Sequence, residues 1–238
     1  EFRLLTDAVG EKGYRQIDIN LGCPFPMIAG KHKGAGMLLY PAQVAEVLAP
    51  IAEYPEIQFS LKMRLGWENA SECMVLVELL NTLRLSRIAL HARTGKQQYK
   101  GHPDLEAFQG FYELCQHPLY YNGDIESLSD IRQILTRFPL LKGVFIGRGL
   151  LSSPLLAKEF KGNETFLPEQ RMSIYFAFHE ELFSAYSQVL QGETQLLVKM
   201  KTLWEYFLPE TDRKLLKRIK KSTRLQQYTE SVKAIFTS

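Results

Sequence analysis

Polar and reactive side chains in the first part of the chain collect at the ends of short apolar runs. Asn20 and Cys23 end or follow "RQIDINL", Lys62 and Arg64 lie in "IQFSLKMRL", and His91 and Arg93 end "SRIALHAR". Asn122, Gly123 and Asp124 follow "PLYY", and Gly147 and Arg148 follow "KGVFI". In α/β barrels and open parallel sheets, ligands bind outside the carboxyl ends of the strands. Clusters that recur at five strand ends therefore converge on one rim, although each alone has an ordinary reading. A lysine in a strand snorkels to solvent, and Asn-Gly-Asp makes a turn.

These groups suit an anion and an electron-rich ring. A glycine at a strand end, the fork of Arg148 and backbone amides opening a helix suit a phosphate. A lysine inside a parallel sheet needs an anionic or electron-rich partner, because burying an unpaired charge is costly. A reduced flavin offers such a partner at its N1 and O2 edge, so an aromatic, phosphate-bearing cofactor satisfies Lys62 and Arg148 together. A nicotinamide dinucleotide bound at a glycine-rich turn fits less well. No G-x-G-x-x-G follows a strand, and "GKHKGAG" has the wrong spacing.

Five candidate strands, at 15–21, 57–65, 86–92, 118–123 and 142–149, must position these residues. Between them, segments 40–54, 71–85, 103–116 and 127–138 carry apolar residues three or four apart and read as helices. The alternation implies right-handed βαβ units and a parallel sheet buried on both faces. Beyond "SSPLLAKEF" and the polar linker 161–170 the strand signals stop and the pattern is helical. The expected organisation is an α/β portion over 1–165 and an all-α helical bundle over 166–238. A phosphate site after strands 7 and 8 is typical of (β/α)8 barrels. If the five runs are the last five of eight strands, "NGD" and "IGRG" fall there.

Composition excludes several classes. The formal charge of +3 on 238 residues gives no global polyelectrolyte character. Three cysteines, an odd number without a C-x-x-C pair, argue against a disulfide framework and a zinc knuckle, so no metal is expected and a cytoplasmic, reducing setting is simplest. No apolar run approaches the roughly 18 residues needed to span a bilayer, and the N-terminus lacks a signal pattern, so the chain reads as soluble without a membrane partner. It begins at Glu1 and reads as a piece of something longer.

Charge is concentrated locally. Residues 211–224, "TDRKLLKRIKKSTR", hold seven Lys or Arg against one Asp. Arg213, Lys217, Lys220 or Lys221, and Arg224 recur at helical spacing and form a basic face, with Leu215, Leu216 and Ile219 turned inward. Such a face suits a nucleic-acid backbone, and its affinity would depend strongly on salt.

In order and spacing, "DINLGCP", "KGAGMLL", "LKMRLGW", "LHARTGKQQYKG", "YYNGDI" and "GVFIGRGLLSSP" resemble the tRNA-dihydrouridine synthases, flavin enzymes that reduce uridines of tRNA. The resemblance covers about residues 10 to 160, and the helical tail is similar to that family's tRNA-binding domain. It implies a TIM-type (β/α)8 barrel of which only about the last five units are present, starting near the fourth strand. It also implies FMN as cofactor, NADPH as reductant, tRNA as partner and a monomer at full length. Cys23 becomes the general acid that protonates C5 of the uracil, with hydride from the flavin going to C6 and Asn20 beside the base. Lys62 and His91 contact the flavin rings, while Asn122, Gly123, Asp124, Gly147 and Arg148 hold the ribityl phosphate. A thiol of reference pKa about 8.5 is protonated at neutral pH and suits the role. Cys73 and Cys115, in apolar helical runs, read as buried small hydrophobes.

The resemblance makes "PFPMIAGKHKGAG" a lid over the target base, with Lys31 and Lys33 placed for phosphates. Arg93, Lys96 and Tyr99 add cations and a stacking ring on the same rim, and Arg213, Lys217, Lys221 and Arg224 supply RNA contacts in the tail. Two rivals are a flavin oxidoreductase of a free pyrimidine, against which the basic tail argues, and a non-catalytic RNA-binding fragment, against which Cys23, Lys62 and Asn122 argue.

Overall fold

Strands form where β-branched and aromatic residues run together, and helices where apolar residues recur every three or four positions. In the computed structural model, which describes residues 1–237, the strands are β1 (Gln16–Leu21), β2 (Gln58–Gly66), β3 (Leu85–Thr94), β4 (Leu119–Asn122) and β5 (Gly143–Phe145). All neighbours pair in parallel, in the order β1-β2-β3-β4-β5. Sequential parallel neighbours each need a crossover, and helices supply them: α3 (Pro41–Leu48), α4 (Glu72–Thr82), α5 (Leu105–Leu114) and α6 (Leu128–Arg137). This one-directional winding is that of a (β/α) TIM-type barrel, of which five strands are present here.

Two helices precede these crossovers. Helix α1 (Phe2–Glu11) carries no sequence expectation, because only Thr6 is buried and no side chain caps it. Phe2 stacks on Phe59, and the Tyr54 hydroxyl donates to Asp7, which ties α1 to the rim of β2. The short α2 (Pro26–Ala29) opens on a proline, whose missing N–H is no loss at a helix start.

The two faces of the sheet differ. Leu61, Met63, Leu65, Ile88, Leu90, Ala92 and Tyr121 are buried on one face, and Phe108 of α5 meets Tyr121 edge-on at 5.0 Å. Truncating such a ring typically costs about 3–5 kcal/mol. The opposite face is polar and falls into three rows set by the register: Asp18, Ser60 and Arg87; then Asn20, Lys62, Ala89 and Tyr120; then Arg64, His91, Asn122 and Phe145. The expectation of strands buried on both faces holds for most of β2 and β3 and is corrected for β1. Asp18 and Asn20 of β1 are exposed, because β1 has a neighbour on only one edge.

The chain divides into two compact units: residues 1–124 with 129–146, and residues 125–128 with 147–238. The division at Ile146 precedes the change of composition near residue 165. The second unit holds α7 (Arg148–Ser152), α8 (Leu156–Gly162), α9 (Pro168–Val189), α10 (Glu193–Leu203), α11 (Arg213–Lys221) and α12 (Leu225–Phe236). Its core gathers Tyr175, Met200, Trp204, Phe207, Ile219, Tyr228 and Val232. Inside it the Tyr228 hydroxyl accepts from Trp204 Nε1 at 3.0 Å and meets His179 Nε2 at 2.7 Å. Glu159, buried on α8, is paired with Arg171 of α9, so the pair holds the segment after α7 onto the helices.

Candidate active site

Cys23 stands two residues past β1 and is half-buried. Its carbonyl accepts the N–H of Ala35 at 3.0 Å, which folds the following loop back onto it. Gly34, at φ +56°, makes this possible. A Cβ there would lie 2.8 Å from the Cys23 carbonyl oxygen and 2.9 Å from its Cβ, so only glycine fits. Gly34 to Leu38 are buried in a 3₁₀ segment, and a Cβ on Gly36 would fall 2.3 Å from the Ala29 carbonyl. The expected lid is thus in two parts: 34–38 is packed structure, and the exposed portion is 25–28 with 30–33, which includes Lys31 and Lys33. Lys33 lies 3.5 Å from Glu1, both exposed. Asn20 presents its side-chain carbonyl to the Gly22 N–H at 2.9 Å and so shapes the turn into Cys23.

Lys62 is half-buried and makes no hydrogen bond or ion pair among the described residues. Burial first, then the positive charge of Arg64, lowers its pKa, against a smaller opposing effect of Asp18. His91 is buried, and burial followed by the charges of Arg64, Lys62 and Arg93 pushes its pKa down to about 3. It is therefore a neutral imidazole at physiological pH.

Two residues expected at the surface or on a phosphate have other work. Arg93, expected to touch RNA, has a side chain 1% exposed and bridges the Asp124 carboxylate at 2.8 and 2.5 Å and the Gly101 carbonyl at 2.7 Å. Pairing with Asp124 buries it and takes its charge away from any RNA. Asp124 is correspondingly an ion-pair partner and not a free ligand. Asn122 donates to the Phe145 carbonyl at 2.8 Å and links β4 to β5, and Gly123 is buried, a Cβ there falling 2.6 Å from the Tyr121 hydroxyl. Lys96 pairs with Glu68 on the surface. Tyr99 is 58% exposed, with its ring centroid 6.4 Å from that of His91.

Gly147 and Arg148 lie in the second unit, at the N-cap and first turn of the five-residue α7. Strand β5 stops at Phe145, earlier than its apolar run suggests. On α11, Asp212 caps the N-terminus by accepting from Lys214 and Leu215, Ile219 is buried, and Arg213, Lys217 and Lys221 are exposed, as is Arg224 at the start of α12. The surface groove between α11 and α12 adds Lys214 and Arg218 to this set, with Gln227 and Glu230 on its far wall. Sequence reading placed Arg64 among the strand-end groups but gave it no role; it is 2% exposed. Its guanidinium donates to the carbonyls of Gly22, Thr94 and Gln98. Its one sequence signal was its place two residues after Lys62 on the same face.

The unsatisfied groups describe what the rim accepts. Among the described residues Lys62 has no hydrogen-bonding partner and Arg93 Nε is buried without one, and of the three cations Lys62, Arg64 and Arg93 only Arg93 is paired with a carboxylate, that of Asp124. Such a rim fits an electron-rich, hydrogen-bond-accepting ring. Among the described residues no group of His, Cys, Asp and Glu could hold a metal ion, and no helix is long and apolar enough to cross a membrane.

Comparison with known proteins agrees with the blocks of residues that build this rim. The family model "Dihydrouridine synthase (Dus)" matches residues 5–237. The tRNA-dihydrouridine synthase B of Vibrio vulnificus is 28% identical over 174 residues, 70% of this chain and 54% of that protein. A probable tRNA-dihydrouridine synthase of Rhizobium leguminosarum bv. phaseoli is 32% identical over 139 residues, 58% of this chain and 44% of its own. A solved structure of a variant of NCR from Zymomonas mobilis overlaps 54% of this chain and 42% of its own, at TM-score 0.38 and 15% identity. The chain spans about half the length of the curated relatives it matches. With the family match running nearly end to end, the chain belongs to the dihydrouridine synthase family.

Proposed function

We propose that this chain carries the proton-donating and RNA-binding part of an enzyme that reduces uridine in tRNA to 5,6-dihydrouridine. The observation that carries the reading is the half-buried thiol of Cys23 at the β1 end, on a sheet whose neighbouring strands bring up Lys62 and His91 in a chain of this family. FMN, reduced by NADPH, would supply the hydride that adds at C6 when bound. Lys62 would face the electron-rich edge of its ring system and offset its developing negative charge, and neutral His91 would hydrogen-bond to it without adding charge. Asn122 and Gly123 would lie towards the ribityl phosphate. Asp124 acts there through Arg93, and Gly147 and Arg148 keep a proposed phosphate role on their sequence motif alone.

Addition at C6 leaves enolate character at C5 and O4 of the uracil. The Cys23 thiol gives its proton to C5, and the thiolate recovers one from solvent. Asn20, by holding the turn into Cys23, fixes where that thiol stands. Lys31, Lys33 and Lys96 would meet phosphates near the target nucleotide, and Tyr99 would stack on a base. Arg213, Lys217, Lys221 and Arg224 would bind the RNA backbone elsewhere.

The test is an assay of tRNA and of free uridine with FMN and NADPH, read by mass spectrometry of nucleosides. Dihydrouridine in tRNA alone supports the reading. Equal turnover of free uridine favours a small-molecule reductase, and no turnover with tight tRNA binding favours a binding fragment.

A further inference from the structure

Arg64 is 2% exposed, yet it has no carboxylate partner among the described residues. Its charge is met by backbone carbonyls: Nε donates to Gly22 at 3.1 Å, and Nη1 donates to Thr94 at 2.8 Å and to Gln98 at 2.7 Å. Its guanidinium carbon also lies 5.5 Å from the centroid of the Tyr99 ring. Gly22 immediately precedes Cys23, and Gln98 immediately precedes Tyr99. One side chain thus grips the backbone next to the thiol and the backbone next to the exposed ring.

The second grip falls on a strained point. Gln98 has φ +52°, a conformation few side chains adopt, and its carbonyl is aimed at Arg64. The rest of that turn is closed by Gly95 and Lys96 donating to the Gly66 and Trp67 carbonyls. A buried cation met by three carbonyls and the Tyr99 side chain, with no carboxylate among the described residues, is an expensive way to brace two loops, since a neutral group would avoid the desolvation cost. What a guanidinium adds is a rigid planar fork that stays charged and reaches acceptors in two directions at fixed spacing.

We propose that Arg64 is a positioning residue that sets the distance between the Cys23 thiol and the Tyr99 ring. This rests on the reading of Cys23 as proton donor and Tyr99 as stacking ring. If the base lies against Tyr99, Arg64 determines whether its C5 comes within reach of the thiol. A lysine at 64 keeps the charge but has one compact head, so it cannot hold both loops.

The experiment is hydrogen–deuterium exchange on the 238-residue chain and its Arg64→Gln and Arg64→Lys variants, with dihydrouridine kinetics on tRNA in parallel. In Arg64→Gln the amides of Gly22 and Ala35 and those of Gly95, Lys96 and Gln98 should exchange faster together, by about tenfold or more. Residues 86–92 and the helices of the second unit should be unchanged. Arg64→Lys should loosen the 95–98 turn and lower kcat more than it raises KM. Loosening of neither loop, of one loop only in Arg64→Gln, or of the whole sheet in both variants would overturn the proposal. If the unsubstituted chain forms no dihydrouridine, the reading of the reaction fails while the exchange data still decide the clamp.

Discussion

The Arg93 guanidinium grips both oxygens of the Asp124 carboxylate, at 2.8 and 2.5 Å, with the arginine side chain 1% exposed. The pair joins the end of β3 to the turn after β4, two strand ends whose side chains share the polar rim. Asp124→Ala leaves that guanidinium without its counter-charge. The expected loss is about 2–3 kcal/mol in urea denaturation, below the roughly 3–5 of a fully buried pair because the carboxylate is partly solvated. A loss under about 0.5 kcal/mol would mean that the pair contributes no more than a surface contact.

Gly34→Ala tests the packing behind the thiol. The new methyl meets the Cys23 carbonyl at 2.8 Å in a left-handed backbone, which adds a steric cost to about 1–2 kcal/mol of conformational strain. Thermal unfolding should fall by several degrees, and alkylation of Cys23 should change rate while that of buried Cys73 does not. An unchanged melting temperature would refute the close approach.

His91 sets a pH dependence. Its pKa is pushed down to about 3 by burial and by Arg64, Lys62 and Arg93, whereas the unfolded imidazole titrates near about 6.5. The unfolded chain therefore binds the extra proton first. The stabilisation from neutral His91 is complete above about pH 6.5 and is lost as pH falls toward about 3. Burial lowers the pKa of His179 too, with the same sign. Between pH 6.5 and 5 stability should drop by roughly 2 kcal/mol at most through His91, and His91→Phe should flatten the slope. An imidazole resonance of His91 titrating near pH 6.5 would contradict this.

Charge reversal on α11 tests the proposed RNA contact of its basic face. Lys217→Glu with Lys221→Glu should weaken tRNA binding at least about tenfold near 0.1 M salt and reduce the slope of log affinity against log salt by about 1–2. Unchanged affinity and slope would remove these residues from the interface.

The five strands were legible because each is a short apolar run between helical periods, and β1 to β4 fall within a residue or two of their expected bounds. Helix α1 was not, since "FRLLTDAVGE" lies mostly exposed and has no capping side chain. The placing of Cys23, Lys62 and His91 at neighbouring strand ends was readable from residue type and strand pattern, while the roles proposed for Cys23 and His91 came from the family resemblance. The work of Arg64 and Arg93 was not, because the carbonyls that hold Arg64 and the carboxylate that pairs with Arg93 lie 30 or more residues away, and residue type does not betray a backbone carbonyl. Polar sequence around Arg93 signals solvent, and only the fold shows the carboxylate that buries it.

The most direct test of the proposed function is the rate of dihydrouridine formation on tRNA by Cys23→Ala and Cys23→Ser, measured by nucleoside mass spectrometry beside the unsubstituted protein. Loss of a positioned general acid should lower kcat by about 10²- to 10⁴-fold in Cys23→Ala, with tRNA affinity kept and Cys23→Ser only slightly better. A Cys23→Ala enzyme that reduces tRNA at nearly the original rate would contradict the assignment of the proton to Cys23.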